Sequence, residues 1–114
     1  MKQSYSEYAA LFKALSDETR LKIIDMLSCG EMCACDILEQ LSLSQSTLSY
    51  HMKILSECGI VNAVRDGAWM RYTISKARAD EAAAFVGYIT TDKEDCICKS
   101  CRKTKCEEGE SNGK

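Results

Sequence analysis

From Ser44 to Ile74 the chain changes its hydrophobic period in a way that leaves few folds open. Behind Ser44, a good N-cap, Leu48, Met52 and Leu55 recur at helical spacing, and the run stops at Gly59. Ile60–Arg65 and Trp69–Ile74 then read as two strands around Asp66-Gly67, a strong hairpin signal. Upstream, a short helix from about Cys35 to Leu41 is divided from the Ser44 helix by the tight turn Ser42-Leu43-Ser44. Two helices about a three-residue turn, followed at once by a hairpin, form a helix-turn-helix with a β wing.

The flanking segments complete it. Tyr5, Tyr8, Ala9, Phe12 and Leu15 predict a first helix from about Ser4 to Leu15. Ser16 is the expected N-cap of a second, with Asp17 and Glu18 in its first turn, where negative charge suits the dipole. Its buried stripe is read as Leu21, Ile24 and Leu27, with Ile23 alongside, and Gly30 ends it. Ala79–Ile89 predicts a last helix with Ala82, Phe85, Val86 and Ile89 on one face. The expected fold is mainly α: a winged helix-turn-helix of about five helices plus a two-stranded β-hairpin wing. The expected division is a winged helix-turn-helix DNA-binding domain over residues 1–91, which the resemblance given below makes the dimerisation domain too, and a flexible cysteine-rich C-terminal tail over residues 92–114. A chain of 114 residues is one domain with a modest core, which association would enlarge.

Charge distribution matters more than the net value of −2. Residues 44–78 hold five basic side chains (Lys53, Arg65, Arg71, Lys76, Arg78) against two acidic ones (Glu57, Asp66), a local +3. Residues 1–43 hold four basic and seven acidic, a local −3. Phosphate contact needs local positive charge, not a basic pI. The longest purely apolar run, Ala82–Val86, is far short of the ~20 residues of a membrane span, and no signal-peptide core follows Met1. The expected location is cytoplasmic, with no membrane partner.

On the Ser44 helix, Gln45, Ser46, Thr47, Ser49, Tyr50 and His51 supply polar groups at and after the N-terminal end, the end that enters a major groove. Gln45 can pair with adenine through two hydrogen bonds. Ser44, Ser46, Thr47 and Ser49 can reach phosphates or base edges, and Lys53, Arg65 and Arg71 are candidates for backbone phosphates. His51 is the sole histidine, with a DNA or a packing role. No nucleophile and base stand with an orienting group and no phosphate loop occurs, so an enzyme is not expected.

The eight cysteines, in a reducing compartment, point to metal or redox chemistry and not to a disulfide framework. Cys33 and Cys35 lie directly ahead of the helix-turn-helix. Residues at i and i+2 of a regular helix diverge by about 200°, so the segment is non-helical there or becomes so when both sulfurs seize one ion. Closing such a chelate would strain the start of the supporting helix and lower DNA affinity. Cys96, Cys98, Cys101 and Cys106 crowd the tail, where Lys99, Arg102, Lys103 and Lys105 ease deprotonation. A tail sulfur completes the Cys33–Cys35 site, or the tail holds a separate site, or it has no sensing role. Cys29 and Cys58 are read as structural.

Three segments resemble the ArsR/SmtB family of metal-responsive repressors: Phe12-Lys13-Ala14-Leu15-Ser16-Asp17-Glu18-Thr19-Arg20-Leu21-Lys22-Ile23, Glu31-Met32-Cys33-Ala34-Cys35-Asp36-Ile37, and Leu43–Leu55 with Gly59-Ile60-Val61 beyond. The resemblance spans about residues 5–90. It implies a homodimer, joined through the first and last helices, that binds double-stranded operator DNA and is released by its effector. Cys33-x-Cys35-Asp36 looks like the family's thiolate site for As(III) and Sb(III), which prefer three sulfurs. Leu38 stands where some members carry a third cysteine, so Cys96, Cys98 or Cys101 is the expected source. The reading is an arsenite/antimonite-responsive repressor. Another thiophilic ion (cadmium, lead or zinc), or thiol redox sensing, is the alternative. The family's last-helix zinc site is absent, because residues 76–91 contain no histidine.

Overall fold

The computed structural model describes residues 4–93. The elements run α1 (Tyr5–Leu15), α2 (Glu18–Leu27), β1 (Met32–Cys33), α3 (Ala34–Gln40), α4 (Gln45–Glu57), β2 (Val61–Asp66), β3 (Trp69–Ile74) and α5 (Lys76–Ile89). This is the winged helix-turn-helix expected, with one addition. The sheet has three antiparallel strands in the order β1-β3-β2. Met32 and Cys33 pair with Tyr72 and Arg71, so the segment ahead of α3 is part of the wing's sheet. Two residues are too few for an alternating pattern, which left this strand invisible to periodicity.

Side-chain caps set most helix starts, as their sequences imply. Ser4, Ser44 and Ser75 each accept a backbone N–H three residues on. Asp17, not Ser16, caps α2, taking the N–H of Arg20 at 3.1 Å, while Ser16 closes α1. Ser75 starts α5 at Lys76, a turn earlier than the Ala79 start read from apolar spacing. In the wing, Asp66 pairs with Trp69 around Gly67-Ala68. Gly67 alone takes positive φ (66°), the arrangement of a two-residue type II′ hairpin.

The core cluster collects a stripe from each of the three central helices and closes it with the sheet. Ile23 and Leu27 of α2, Ala34 and Ile37 of α3, and Leu48, Met52 and Leu55 of α4 close on Ile60, Val61 and Tyr72. The α2 stripe is rotated from the one expected: Ile23 is buried and Leu21 is 52% exposed. The α1 stripe is displaced in the same way. Tyr8, Leu11 and Ala14 are buried, whereas Tyr5 and Ala9 are exposed. Tyr8 stacks on Phe85 of α5 at 4.1 Å between centroids, fixing the first helix against the last. On α5, Ala82 and Phe85 are buried while Val86 and Ile89 face outward.

Candidate thiolate metal site and nucleic-acid interface

Cys33 belongs to two elements at once: it is the last residue of β1 and the N-cap of α3. Its extended backbone (φ −78°, ψ 150°) lies outside the helix, so the i,i+2 sulfurs converge without any unwinding. Cys33 Sγ and Cys35 Sγ are 2.6 Å apart, and both cysteines are unbridged. The expectation that the segment is non-helical at Cys33 holds. The cap geometry brings the sulfurs together before any ion is bound. Sulfur here does what a serine hydroxyl usually does. Cys33 Sγ accepts the N–H of Cys35 at 3.3 Å, and the Asp36 carboxylate reaches back to the N–H of Cys33 at 3.2 Å, forming a capping box.

These contacts separate the two thiols. The hydrogen bond from the Cys35 thiol, reinforced by the N–H groups of Cys35 and Asp36, holds Cys33 below the ordinary thiol range. The same bond, with Cys35 as donor, pushes Cys35 up. Cys33 is therefore the more acidic thiol of the pair. Cys33, Cys35 and Asp36 present two sulfurs and a carboxylate oxygen within 4.8 Å of one another, the one such group among the described residues. Cys33 is buried, Cys35 half-buried and Asp36 exposed, so the group opens to solvent at one side. Cys29 is exposed and stands apart from it, and Cys58 donates to Leu55 O at 3.4 Å and packs on the core. Cys96, Cys98 and Cys101 lie outside the described residues.

The polar face of α4 is open. Gln45, Ser46, Thr47, Ser49, Tyr50 and Lys53 are all exposed, Tyr50 by 61%. Ser44 and Thr47 are partly engaged in the cap, with Ser44 Oγ donating to Thr47 Oγ1 at 2.9 Å. Lys53 faces Glu57 at 4.0 Å along the same helix. On the wing, Arg65 is opposite Met70 and Arg71 opposite Val64, so the two arginines leave opposite faces of the sheet. Arg71 Nε donates to Asp66 at 2.6 Å, which raises the Arg71 pKa; Glu31 and Cys33 add to the negative field around it.

His51 departs from the DNA-contact expectation. It is buried, with its Nδ1 3.1 Å from an Arg20 guanidinium nitrogen and 4.0 Å from Asp17. A guanidinium only donates, so Nδ1 is the acceptor in this contact. Arg20 also donates to Ala14 O at 2.6 Å, tying the end of α1 and the start of α2 to the recognition helix. Of the two roles left open for His51, packing is the one this geometry supports. The signal was present: position 51 falls three after Leu48 and four before Leu55, on the buried stripe. Arg20 and Asp17 carried no such signal, because their link to His51 forms only across the fold.

Comparison with known proteins agrees with this architecture. Residues 17–63 match the family model described as bacterial regulatory protein, arsR family. An arsenical resistance operon repressor of Staphylococcus aureus is 42% identical over 103 residues, covering 90% of this chain and 99% of that protein. A probable mercury resistance operon repressor of Streptomyces lividans is 33% identical over 84 residues, 74% of this chain and 67% of that protein. Among solved structures, an ArsR-like transcriptional regulator from Rhodococcus sp. RHA1 superposes with a TM-score of 0.68 at 32% identity, covering 75% of this chain and 81% of that one. A homodimeric winged helix-turn-helix DNA-binding domain from Mycobacterium bovis does so at 0.62 and 27%, covering 77% and 88%. The chain thus belongs to the arsR family of bacterial regulatory proteins, DNA-binding transcriptional regulators and not enzymes.

Proposed function

We propose that this chain is an arsenite/antimonite-responsive repressor: a cytoplasmic homodimer that holds operator DNA and releases it when Cys33 and Cys35 take a trivalent metalloid. The observation that carries the reading is the convergence of two sulfurs, one of them the more acidic for its hydrogen bonds, at the cap of the helix that supports the recognition helix. Soft thiophilic ions choose thiolate over oxygen, and the pair is reachable from solvent through Cys35. The arsenical resistance repressor, alike over nearly the whole chain, supports the same effector class.

The residues imply a direct mechanical cost. Cys33 Sγ caps α3 through the N–H of Cys35. A sulfur committed to an ion is a poorer acceptor, so α3 loses part of its cap and the seat of α4 loosens. A coupling of ~1–3 kcal/mol is the usual scale of such a link. Gln45, Ser46, Thr47, Ser49 and Tyr50 read the major groove. Ser44, Lys53, Arg65 and Arg71 meet phosphates, the last after trading Asp66 for DNA. A dimer so built protects an inverted repeat with half-sites about one helical turn apart. The third sulfur comes from Cys96, Cys98 or Cys101.

Arsenite is expected to dissociate the complex of full-length protein with duplex DNA from its own promoter, followed by fluorescence anisotropy. Cys33→Ser and Cys35→Ser bind that DNA but no longer release it; induction retained in both variants would sink the proposal. A version ending at Asp92 loses one sulfur from the arsenic coordination shell if the tail supplies it, as read by X-ray absorption. A second reading rests on Asp36: an oxygen beside two sulfurs suits zinc or cadmium better than arsenic. Titrating each ion in the same release assay decides between them, and release by peroxide alone would mark a redox sensor.

A further inference from the structure

The thiolate pair is joined to the wing as firmly as to the helix-turn-helix. The Cα partner of Cys33 across β1–β3 is Arg71, and that of Met32 is Tyr72. Directly opposite residues of an antiparallel pair point to the same face, so Cys33 and Arg71 share the outer face of the sheet. The Arg71 guanidinium is oriented on that face by Asp66, at 2.6 Å. Trp69, two residues before it on β3, stands on the same face opposite Asp66, 37% exposed.

An ion shared by both sulfurs fixes their spacing, since metal–sulfur bonds of about 2.3 Å hold two sulfurs roughly 3.5 Å apart. Capture of an ion therefore resets Cys33 against Cys35. The α3 side resists, because Ala34 and Ile37 are buried in the core. The β1 side is a two-residue edge strand paired with β3 alone, with Met32 resting on the core and Cys33 opposite Arg71. Displacement falls on β1, and the ladder hands it to β3.

We propose that Arg71 is the positioning residue that carries occupancy of the thiolate pair into the wing: Cys33, on moving, shifts its ladder partner and withdraws the Arg71 guanidinium from phosphate. This rests on the reading that Cys33 and Cys35 bind a metalloid, and adds a second route of release beside the loss of the α3 cap. Phosphate contacts register in the salt dependence of DNA binding, by about 0.9 in the slope of log K against log salt for each one.

The test uses full-length protein, sodium arsenite and a generic DNA duplex, with the thiolate–arsenic absorbance band recording occupancy throughout. In the wild type, arsenite lowers the salt slope by about 0.9 per subunit. Arg71→Gln starts with that lower slope and shows no further fall on adding arsenite. Without DNA, arsenite shifts the emission of Trp69, the sole tryptophan, and raises amide exchange across residues 32–33 and 71–72 by about fivefold or more. An absorbance band with an unchanged salt slope, or with exchange altered only in α3 and α4, overturns the wing route and leaves the sensor standing. The lack of any band overturns the sensor itself.

Discussion

Asp17 shows how much one side chain can be asked to do. Its carboxylate caps α2 and lies 4.0 Å from buried His51, and the N–H of Arg20, ahead of the nearby charges, holds its pKa below 3.8. Because the folded value is the lower one, the stabilisation is complete above 3.8 and disappears as pH falls through the folded value. Asp17→Asn keeps a good cap but has no charge to lose. Its melting temperature is expected to fall less steeply than the wild type's below pH 3.8, measured by circular dichroism melts across the acid range. Equal acid limbs in the two proteins would contradict this. Cys33 and Cys35 make the complementary point. Two thiols of one type are driven apart in acidity, Cys33 down and Cys35 up, through one hydrogen bond between them.

At the scale of elements, the junctions carry the information. Gly59 leaves α4 at φ 87° and turns the chain into β2, donating its N–H to Ser56 O at 3.0 Å. A Cβ there would stand 3.5 Å from Arg78, so the space is ordinary but the backbone conformation is not. Gly59→Ala is expected to destabilise by about 1 kcal/mol or more, seen as an earlier midpoint in urea. An unchanged midpoint would mean that the turn relaxes. The α3 cap is the other decisive junction. A sequence reader looks for Ser, Thr, Asp or Asn at such a position, and a cysteine in that role escapes notice.

For the molecule as a whole, α1 and α5 pack together through Tyr8 and Phe85 yet keep an outer apolar edge. Tyr5, Val86 and Ile89 are 54%, 42% and 43% exposed. No helix among the described residues is long and apolar enough to cross a membrane, so this edge is not explained by a span. It is the expected dimer surface. Val86→Asp should shift the protein toward monomer in sedimentation velocity and weaken binding to an inverted-repeat duplex. An unaltered dimer would place the interface elsewhere.

The sequence by itself determined the order of the five helices and the hairpin, the cap at Ser44, and the presence of two thiols before the helix-turn-helix. These follow from short-range energies: hydrophobic period, side-chain hydrogen bonds to nearby N–H groups, and glycine's access to positive φ. Only the tertiary structure decided that Leu21 faces out while Ile23 faces in, that His51 turns inward to Arg20, and that Met32 and Cys33 join the wing. Which side of a two-sided helix is buried depends on what packs against it. Pairing of a two-residue strand depends on a partner remote in the chain. The thiolate pair was legible as chemistry, but its connection to Arg71 came into being only when β1 met β3.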